Sequence, residues 1–391
     1  MLDLLPSIRA LIATPSISSP DPALDLGNRA VIDRLAEWLS DAGWKVALQV
    51  VAAQPAKVNL IATLGRGSRG LLLAGHTDTV TVDGARWQHD PFGGQVVGDR
   101  IYGLGTADMK AFFALVLEAT RGLDPARLAQ PLLLLATADE ETSMAGARAL
   151  LGTDYLRCAR YAVIGEPTGL RPVRLHKGVL MERIVLEGHA GHSSDPGYGA
   201  SALEGMHGVI GELLAWRGEL QRRHRDERFG VPVPTLNLGC LHGGSSPNRI
   251  CAACELQIDL RTTPAMDLVA LRQTLLQRVR QATAAADPRL RARCEPISAG
   301  VPAFEAPLGS ALVQAIEQLT GASATAASFA TEAPFLHQLG LEPCVIGPGR
   351  TELAHQPDEY LELAALQPTI ELLRGLIDRF CVQPEEQRAQ P

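Results

Sequence analysis

The sequence lacks the features of a protein that binds nucleic acid or lies in a membrane. The net charge of the 391-residue chain is −7, whereas nucleic acid and anionic lipid both require a clustered basic surface. The one dense charged stretch, residues 217–228, mixes both signs, which is typical of a solvated helix end. Apolar runs are far shorter than the roughly 20 residues that span a bilayer. We therefore expect neither nucleic acid nor a membrane as a partner.

Disulfide and zinc-ribbon patterns are also missing. The seven cysteines form an odd, scattered set, which fits a reducing compartment better than a disulfide framework. Cys251 and Cys254 form a CxxC pair, but no second pair accompanies them. The segment around them is typical of a strand, so we interpret both as structural. The N-terminus lacks a basic leader and a long apolar core. These features favour a cytoplasmic protein.

What the sequence does contain is five short acidic and histidine motifs in a fixed order. They are His76-Thr77-Asp78, Asp108-Met109-Lys110, Asp139-Glu140-Glu141, Glu166-Pro167-Thr168 and Ala354-His355-Gln356. Each follows or interrupts an apolar run that is typical of a buried strand. Carboxylates beside a core are costly unless they are paired or bound to cations. The motifs therefore indicate a metal site.

The apolar segments in the first half of the chain predict an α/β fold. Short apolar strands alternate there with helices, which favours a mixed, mostly parallel sheet flanked by helices. Ligands of such sheets bind beyond the carboxyl ends of the strands. His76, Glu140, Glu141 and Glu166 all come just after the last apolar residue of a predicted strand, so we expect them at one shared site.

The later pattern predicts a second domain inserted into the first. From about residue 177 the order becomes β–α–β–β–α, which is typical of a small α+β sheet with helices on one face. After about residue 293 the chain returns to helices and a short strand, with a final helix over 361–380. Because His355 lies in this last part, it must fold back to the first. We expect a metal-binding catalytic domain of residues 1–176 plus 293–391, and an inserted domain of residues 177–292.

Imidazole and carboxylate ligands without thiolates suit zinc or a similar divalent ion. The ligand candidates are His76, Asp108, Glu141, Glu166 and His355. Five ligands are too many for one tetrahedral catalytic zinc with an open position, but they suit two ions if one carboxylate bridges them. Paired ions can hold a hydroxide and polarise a substrate carbonyl. We expect two divalent ions, zinc in the first place and cobalt as the alternative.

Two further acidic positions have expected roles beside the metals. Asp78 lies two residues after His76, where it can hold the imidazole in its coordinating tautomer. Glu140 and Glu141 are adjacent and cannot point in one direction, so one can bind metal while the other faces the water. A glutamate beside a metal-bound water is a suitable general base, which returns its proton to the leaving nitrogen.

The motifs also resemble a known family. The stretches that carry the resemblance are Gly75-His-Thr-Asp-Thr-Val80, Gly103-Leu-Gly-Thr-Ala-Asp-Met-Lys110, Ala138-Asp-Glu-Glu-Thr142, Gly165-Glu-Pro-Thr168 and His189-Ala-Gly-His-Ser-Ser194. They are similar, in the same order, to the M20 family of metallopeptidases and deacylases, and the resemblance covers nearly the whole chain. It implies the following ligand sets: His76 and Glu166 for one ion, Glu141 and His355 for the other, and Asp108 for both. It also implies that Glu140 is the general base.

The resemblance assigns a role to the inserted domain as well. Residues 177–292 would form a lid that also makes a homodimer. His192 would reach the partner subunit's active site and donate to the tetrahedral oxyanion, a role worth several kcal/mol in other hydrolases. Asn248 and Arg261 match positions that bind the substrate's α-carboxylate, for which a bidentate guanidinium is well suited.

The activity that the resemblance implies is removal of the acetyl group from N2-acetyl-L-ornithine. Metal-bound hydroxide would attack the amide, giving L-ornithine and acetate for arginine biosynthesis. The alternatives are an acetylcitrulline deacetylase, a succinyl-diaminopimelate desuccinylase, an aminoacylase or a dipeptidase, which would differ in the side-chain pocket. Glu332 is a candidate partner for a substrate ammonium there, or equally a structural carboxylate. A metal-stabilised binding protein without catalysis is the alternative from another class.

Overall fold

The computed structural model describes residues 3–382, which form two compact units. The first contains the residues up to Arg174, Ala306–Thr325 and the residues from Thr331 onward. The second contains Leu175–Glu305 and Ala326–Ala330. The inserted unit begins close to the expected residue 177 and continues past the expected residue 292, because a further strand joins its sheet.

The described residues contain nine α-helices and sixteen strands. The helices are α1 (Leu4–Ile12), α2 (Arg29–Asp41), α3 (Ala111–Ala119), α4 (Ala145–Ala149), α5 (Ala202–Arg223), α6 (Leu268–Ala286), α7 (Ala311–Thr320), α8 (Ala333–Gln338) and α9 (Leu366–Ile377). The strands are β1 (Lys45–Ala52), β2 (Lys57–Leu64), β3 (Gly70–His76), β4 (Gln95–Val97), β5 (Arg100–Tyr102), β6 (Leu132–Thr137), β7 (Ala159–Ile164), β8 (Val173–His176), β9 (Gly178–Glu187), β10 (Thr235–Gly243), β11 (Ala253–Thr262), β12 (Arg291–Pro296), β13 (Phe304–Glu305), β14 (Thr325–Ala327), β15 (Glu342–Val345) and β16 (Tyr360–Glu362).

The first unit is built on a mixed sheet in the order β1-β2-β6-β3-β7-β15. β6, β3, β7 and β15 pair in parallel, whereas β1 and β2 pair antiparallel at one edge. Every residue of β3 and β6 is buried, which is why their sequences are continuous apolar runs and not alternating ones. The predicted mixed, mostly parallel α/β class is confirmed.

The carboxyl ends of the central strands meet at one edge of this sheet. β3 ends at His76, β6 ends just before Asp139, and β7 ends just before Glu166. A small antiparallel sheet, β16-β5-β4, joins the chain after His355 to the chain before Asp108. Five segments that are distant in sequence therefore arrive at the same edge.

The second unit is an α+β structure with its own core. Its antiparallel sheet has the order β10-β11-β9-β12. Buried side chains of α5 and α6, such as Val209 and Leu275, pack with alternate residues of β9 and β11, such as Ile184 and Ile258. The helices thus cover one face, as the β–α–β–β–α pattern predicted. Among the described residues, the outer edge of β10 pairs with no strand.

None of the seven cysteines, which all lie among the described residues, forms a disulfide, and Cys251 and Cys254 are buried in the second unit. Cys251 Sγ lies 3.0 Å from the carbonyl oxygen of Ala253, so this thiol has a local partner. Within residues 3–382, no helix is both long enough and apolar enough to cross a membrane.

Candidate metal centre

The five side chains proposed as metal ligands meet at the strand-end edge of the first unit. His76 Nε2 lies 3.0 Å from Asp108 Oδ1 and 3.7 Å from Glu166 Oε1. His355 Nε2 lies 2.9 Å from Glu141 Oε2 and 3.4 Å from Asp108 Oδ2. The two oxygens of Asp108 therefore face different imidazoles, which is the arrangement that a carboxylate bridging two ions needs.

The donor atoms fit divalent ions. One ligand atom from each of His76, Asp108 and Glu141 lies within 4.8 Å of the others, and the same is true of His76, Glu140 and Glu166. Two ligands each about 2.1 Å from an ion are at most about 4.2 Å apart, so a small contraction completes either set. Glu166 Oε1 is buried with no hydrogen-bond partner, which leaves a buried acceptor for a cation.

The crowding of carboxylates gives the cluster a strong affinity for positive charge. Burial raises the pKa of Glu166 well above its usual range. Burial and the charge of Glu166 raise the pKa of Glu140 well above its usual range. Burial also opposes ionisation of Asp108, but hydrogen bonds with His355 and His76 lower its pKa. Hydrogen bonds with Asp108 and Glu141 raise the pKa of His355 to about 10. Divalent cations would hold all these carboxylates in the ionised form.

Asp78 makes contacts that differ from those expected. His76 Nδ1 lies 3.0 Å from the backbone oxygen of Asp78, and 3.7 Å from its carboxylate Oδ1. The carboxylate instead accepts hydrogen bonds from the backbone N–H groups of Glu140 and Glu141, each at 3.1 Å. The Asp78 backbone therefore orients the imidazole, while the side chain holds the segment that carries the two glutamates.

Glu359 is a contributor to the site that the sequence did not indicate. Its Oε1 accepts three backbone N–H groups, from Gly105 at 3.1 Å, Ala107 at 2.7 Å and Asp108 at 3.0 Å. Glu359 is 1% exposed, and burial raises its pKa to about 8. Because Glu359 follows His355 by four residues, it ties the loop of this proposed ligand to the loop of another, Asp108. A single glutamate in a loop offers no sequence pattern that would reveal this role.

Glu332 lies in the first unit and is completely buried. Neither carboxylate oxygen has a hydrogen bond of normal length, since the nearby Thr137 hydroxyl donates to the backbone of Gly75. Burial raises the pKa of Glu332 to about 7, and the charge of His76 opposes that rise. It therefore lies close enough to the cluster to affect its charge.

The three other proposed residues lie in the second unit. His192 is exposed, and its Nδ1 lies 2.7 Å from Ser194 Oγ. Asn248 Oδ1 accepts from Ser246 Oγ at 2.6 Å. Arg261 makes a two-point pair with Asp259, at 2.9 and 3.0 Å, so its guanidinium already has a carboxylate partner.

Comparison with known proteins assigns the chain to a family. Strand-end clusters of imidazoles and carboxylates are typical of metal-dependent hydrolases, and residues 72–379 match the model of peptidase family M20/M25/M40. The chain is 50% identical over 373 residues to an acetylornithine deacetylase of Edwardsiella ictaluri (strain 93-146), a match covering 95% of this chain and 96% of that protein. The chain is a hydrolase and belongs to peptidase family M20/M25/M40, which confirms the family predicted from the motifs.

Solved structures support the same fold at low sequence identity. A tripeptidase from Staphylococcus aureus subsp. aureus Mu50 superposes with a TM-score of 0.74 at 20% identity, covering 96% of both chains. A Bacillus subtilis protein described as a dinuclear metal binding peptidase from the M20 family has a TM-score of 0.67 at 16% identity, covering 95% of this chain and 96% of that chain. At these identities the likeness concerns the fold alone.

Proposed function

We propose that this hydrolase removes the acetyl group from N2-acetyl-L-ornithine, giving L-ornithine and acetate. The observation that carries the proposal is the 50% identity to an acetylornithine deacetylase over 95% of the chain. The metal-ligand cluster of the first unit is complete in the residues of this chain, which supports a catalytic protein over a binding protein that has lost catalysis. In this reading the reaction serves arginine biosynthesis in the cytoplasm.

Each residue of the cluster has a proposed part in the reaction. His76 and Glu166 would hold one divalent ion, Glu141 and His355 would hold the other, and Asp108, whose two oxygens face the two imidazoles, would be shared by both. Bound zinc or cobalt supplies Lewis acidity toward the amide carbonyl and lowers the pKa of water. Glu140 takes the proton from the attacking water and returns it to the amine as the C–N bond breaks.

The test of the function is a substrate panel. We would measure kcat/KM for N2-acetyl-L-ornithine, N-acetylcitrulline, succinyl-diaminopimelate and N-acetylmethionine, with zinc or cobalt added and with a chelator. The proposal expects a chelator-sensitive preference for N2-acetyl-L-ornithine. A preference for another member of the panel would overturn the substrate but keep the metal mechanism. The gene should also restore arginine-independent growth to a strain that lacks this deacetylation.

We propose that Glu332 contributes to selection of a cationic side chain. Neither oxygen of its carboxylate has a hydrogen bond of normal length. An ornithine ammonium would supply one, although contact requires the surrounding chain to open. Glu332→Gln should then lower kcat/KM for N2-acetyl-L-ornithine about tenfold, since a charged hydrogen bond is worth roughly 1.5–3 kcal/mol. It should leave N-acetylmethionine within about twofold. An unchanged ratio of the two substrates would leave Glu332 with a structural role only.

We propose that the second unit forms a homodimer and that His192 acts on the partner's site. β10 is an unpaired edge in the described structure, and Leu241 on it and Leu203 on α5 are 48% and 47% exposed. A long exposed edge with apolar neighbours is suited to pairing with another chain.

Mixing two inactive variants tests this arrangement. When His192→Asn and Glu140→Ala subunits are unfolded together and refolded, each mixed dimer contains one intact site if His192 acts in trans. Random mixing should then restore about one quarter of wild-type kcat. Activity no higher than that of the separate variants, or a monomeric mass by light scattering, would contradict the trans arrangement.

A further inference from the structure

A buried ion-pair network lies behind the turn that carries Glu140 and Glu141. Lys57, the first residue of β2, places its ammonium between two carboxylates: Nζ lies 2.8 Å from Asp25 Oδ2 and also donates to Asp139 Oδ1. Lys57 is 9% exposed and Asp139 is 6% exposed. Buried charges are tolerated when they are paired in good geometry, so this network holds its members in one arrangement.

Asp139 adopts a backbone conformation that needs such support. Its φ is 63°, in the left-handed region, which costs a residue with a Cβ roughly 1–2 kcal/mol. The side chain is anchored on both oxygens: Oδ1 also accepts from Thr142 Oγ1 at 2.7 Å and from Ser18 Oγ at 3.2 Å. Oδ2 accepts from Ser143 Oγ. A strained backbone conformation persists where many contacts hold the residue in place. Four hydrogen-bond donors hold the Asp139 side chain in this way.

The conformation of Asp139 sets the direction of the two catalytic glutamates. Asp139 immediately precedes Glu140, so its φ and ψ decide how the next residues leave the end of β6. The carboxylate of Glu140 lies beside His76 and Glu166, whereas that of Glu141 lies beside His76 and Asp108. The two adjacent side chains therefore reach different partners from one turn. A rotation of the backbone at Asp139 would move both of them away from these partners.

The rarity of lysine in this chain supports a specific requirement for an ammonium group at residue 57. Of 36 Lys and Arg residues, four are lysines: Lys45, Lys57, Lys110 and Lys177. The last three are buried and Lys45 is exposed. Arginine is otherwise the basic residue of this chain, but its planar fork is wider than an ammonium, which is a compact point charge. An ammonium fits between Asp25 and Asp139.

We propose that Lys57 and Asp139 are positioning residues: Lys57 fixes Asp139, and Asp139 holds the turn that directs Glu140 to the reacting water and Glu141 to the metal. The part that concerns Glu140 rests on the proposed function. The part that concerns Glu141 predicts an effect on metal binding that requires no substrate. Neither residue contacts the reacting atoms.

The test is Lys57→Met, which removes the ammonium and keeps an unbranched apolar side chain. Groups that orient metal ligands typically affect metal affinity or activity 10–100-fold. We expect kcat to fall by about that factor with KM within roughly threefold, and the affinity for one of two cobalt(II) ions, titrated in the visible spectrum, to fall similarly. The matched control is Lys45→Met on the exposed part of β1, which should change none of these values.

A double-mutant cycle separates positioning from general destabilisation. Lys57 and Asp139 act through one hydrogen bond, so Lys57→Met combined with Asp139→Asn should cost little more than Asp139→Asn alone. Additive losses in kcat, or wild-type kcat and cobalt affinity in folded Lys57→Met, would overturn the proposal.

A milder variant covers the case in which Lys57→Met does not fold. Thr142→Val removes a single hydrogen bond to Asp139, which is worth about 1 kcal/mol, so kcat should fall about fivefold. Wild-type kcat and cobalt affinity in this variant would count against the proposal. If the wild-type protein binds cobalt but does not cleave N2-acetyl-L-ornithine, the proposed substrate fails, while the cobalt titrations still decide the role of Lys57.

Discussion

Glu140→Ala should retain the fold and both metal ions and lose nearly all turnover. The side chain lies beside His76 and Glu166, on the turn whose backbone Asp78 holds. Removing it deletes the proposed acceptor of the proton of the attacking water, and general base catalysis contributes roughly 10²–10⁴-fold to a rate. We expect kcat to fall by about that factor while KM changes little, measured by the release of acetate under saturating substrate.

The matched control is Glu37→Ala, which removes an exposed glutamate from α2 in the same unit. It should leave kcat, thermal unfolding and metal content at wild-type values. Metal analysis of both variants is essential, because loss of metal would also abolish turnover. Wild-type kcat in metal-loaded Glu140→Ala would remove Glu140 from the mechanism, and an inactive variant that has lost an ion would make it a ligand.

The sequence predicted the fold class because the strands have clear local signals. β3 and β6 contain continuous apolar runs over residues 71–74 and 132–136, and runs this short favour a strand buried on both faces over a helix. The final helix was predicted over 361–380, whereas Tyr360–Glu362 forms β16 and α9 begins at Leu366. β16 exists because it pairs with β5, more than 250 residues earlier in the chain. No local pattern can reveal such a partner.

In the site, too, the residues with local sequence signals could be predicted, and those that depend on distant contacts could not. Metal-ligand candidates such as His76 and Glu166 could be found because imidazoles and carboxylates lie at the ends of strands in recurring motifs. Glu359 and Lys57 could not, since each acts through backbone amides or ion pairs that only the folded chain brings together. Asp78 illustrates both cases: its proximity to His76 was predicted, but its carboxylate serves the segment after β6.

Asp108→Asn should remove both metal ions and, with them, the activity. Asp108 is the one residue whose two oxygens face both imidazoles, at 3.0 and 3.4 Å. An amide offers one oxygen and an NH₂ donor in the same volume, so it cannot bridge two cations. Because ions supply several kcal/mol of transition-state stabilisation, kcat/KM should fall about 10³-fold or more. Metal content after dialysis against a fixed free zinc concentration gives the direct measurement.

The number of ions lost distinguishes a bridging ligand from a ligand of one site. Under the same dialysis, wild type should hold two ions per chain, His355→Ala one and Asp108→Asn none, if Asp108 is shared. Asp41→Asn, at an exposed position on α2, makes the same chemical change away from the cluster and should hold two. One ion remaining in Asp108→Asn would place the aspartate on a single metal. The orientation of its two oxygens, one toward His76 and one toward His355, would then require another explanation.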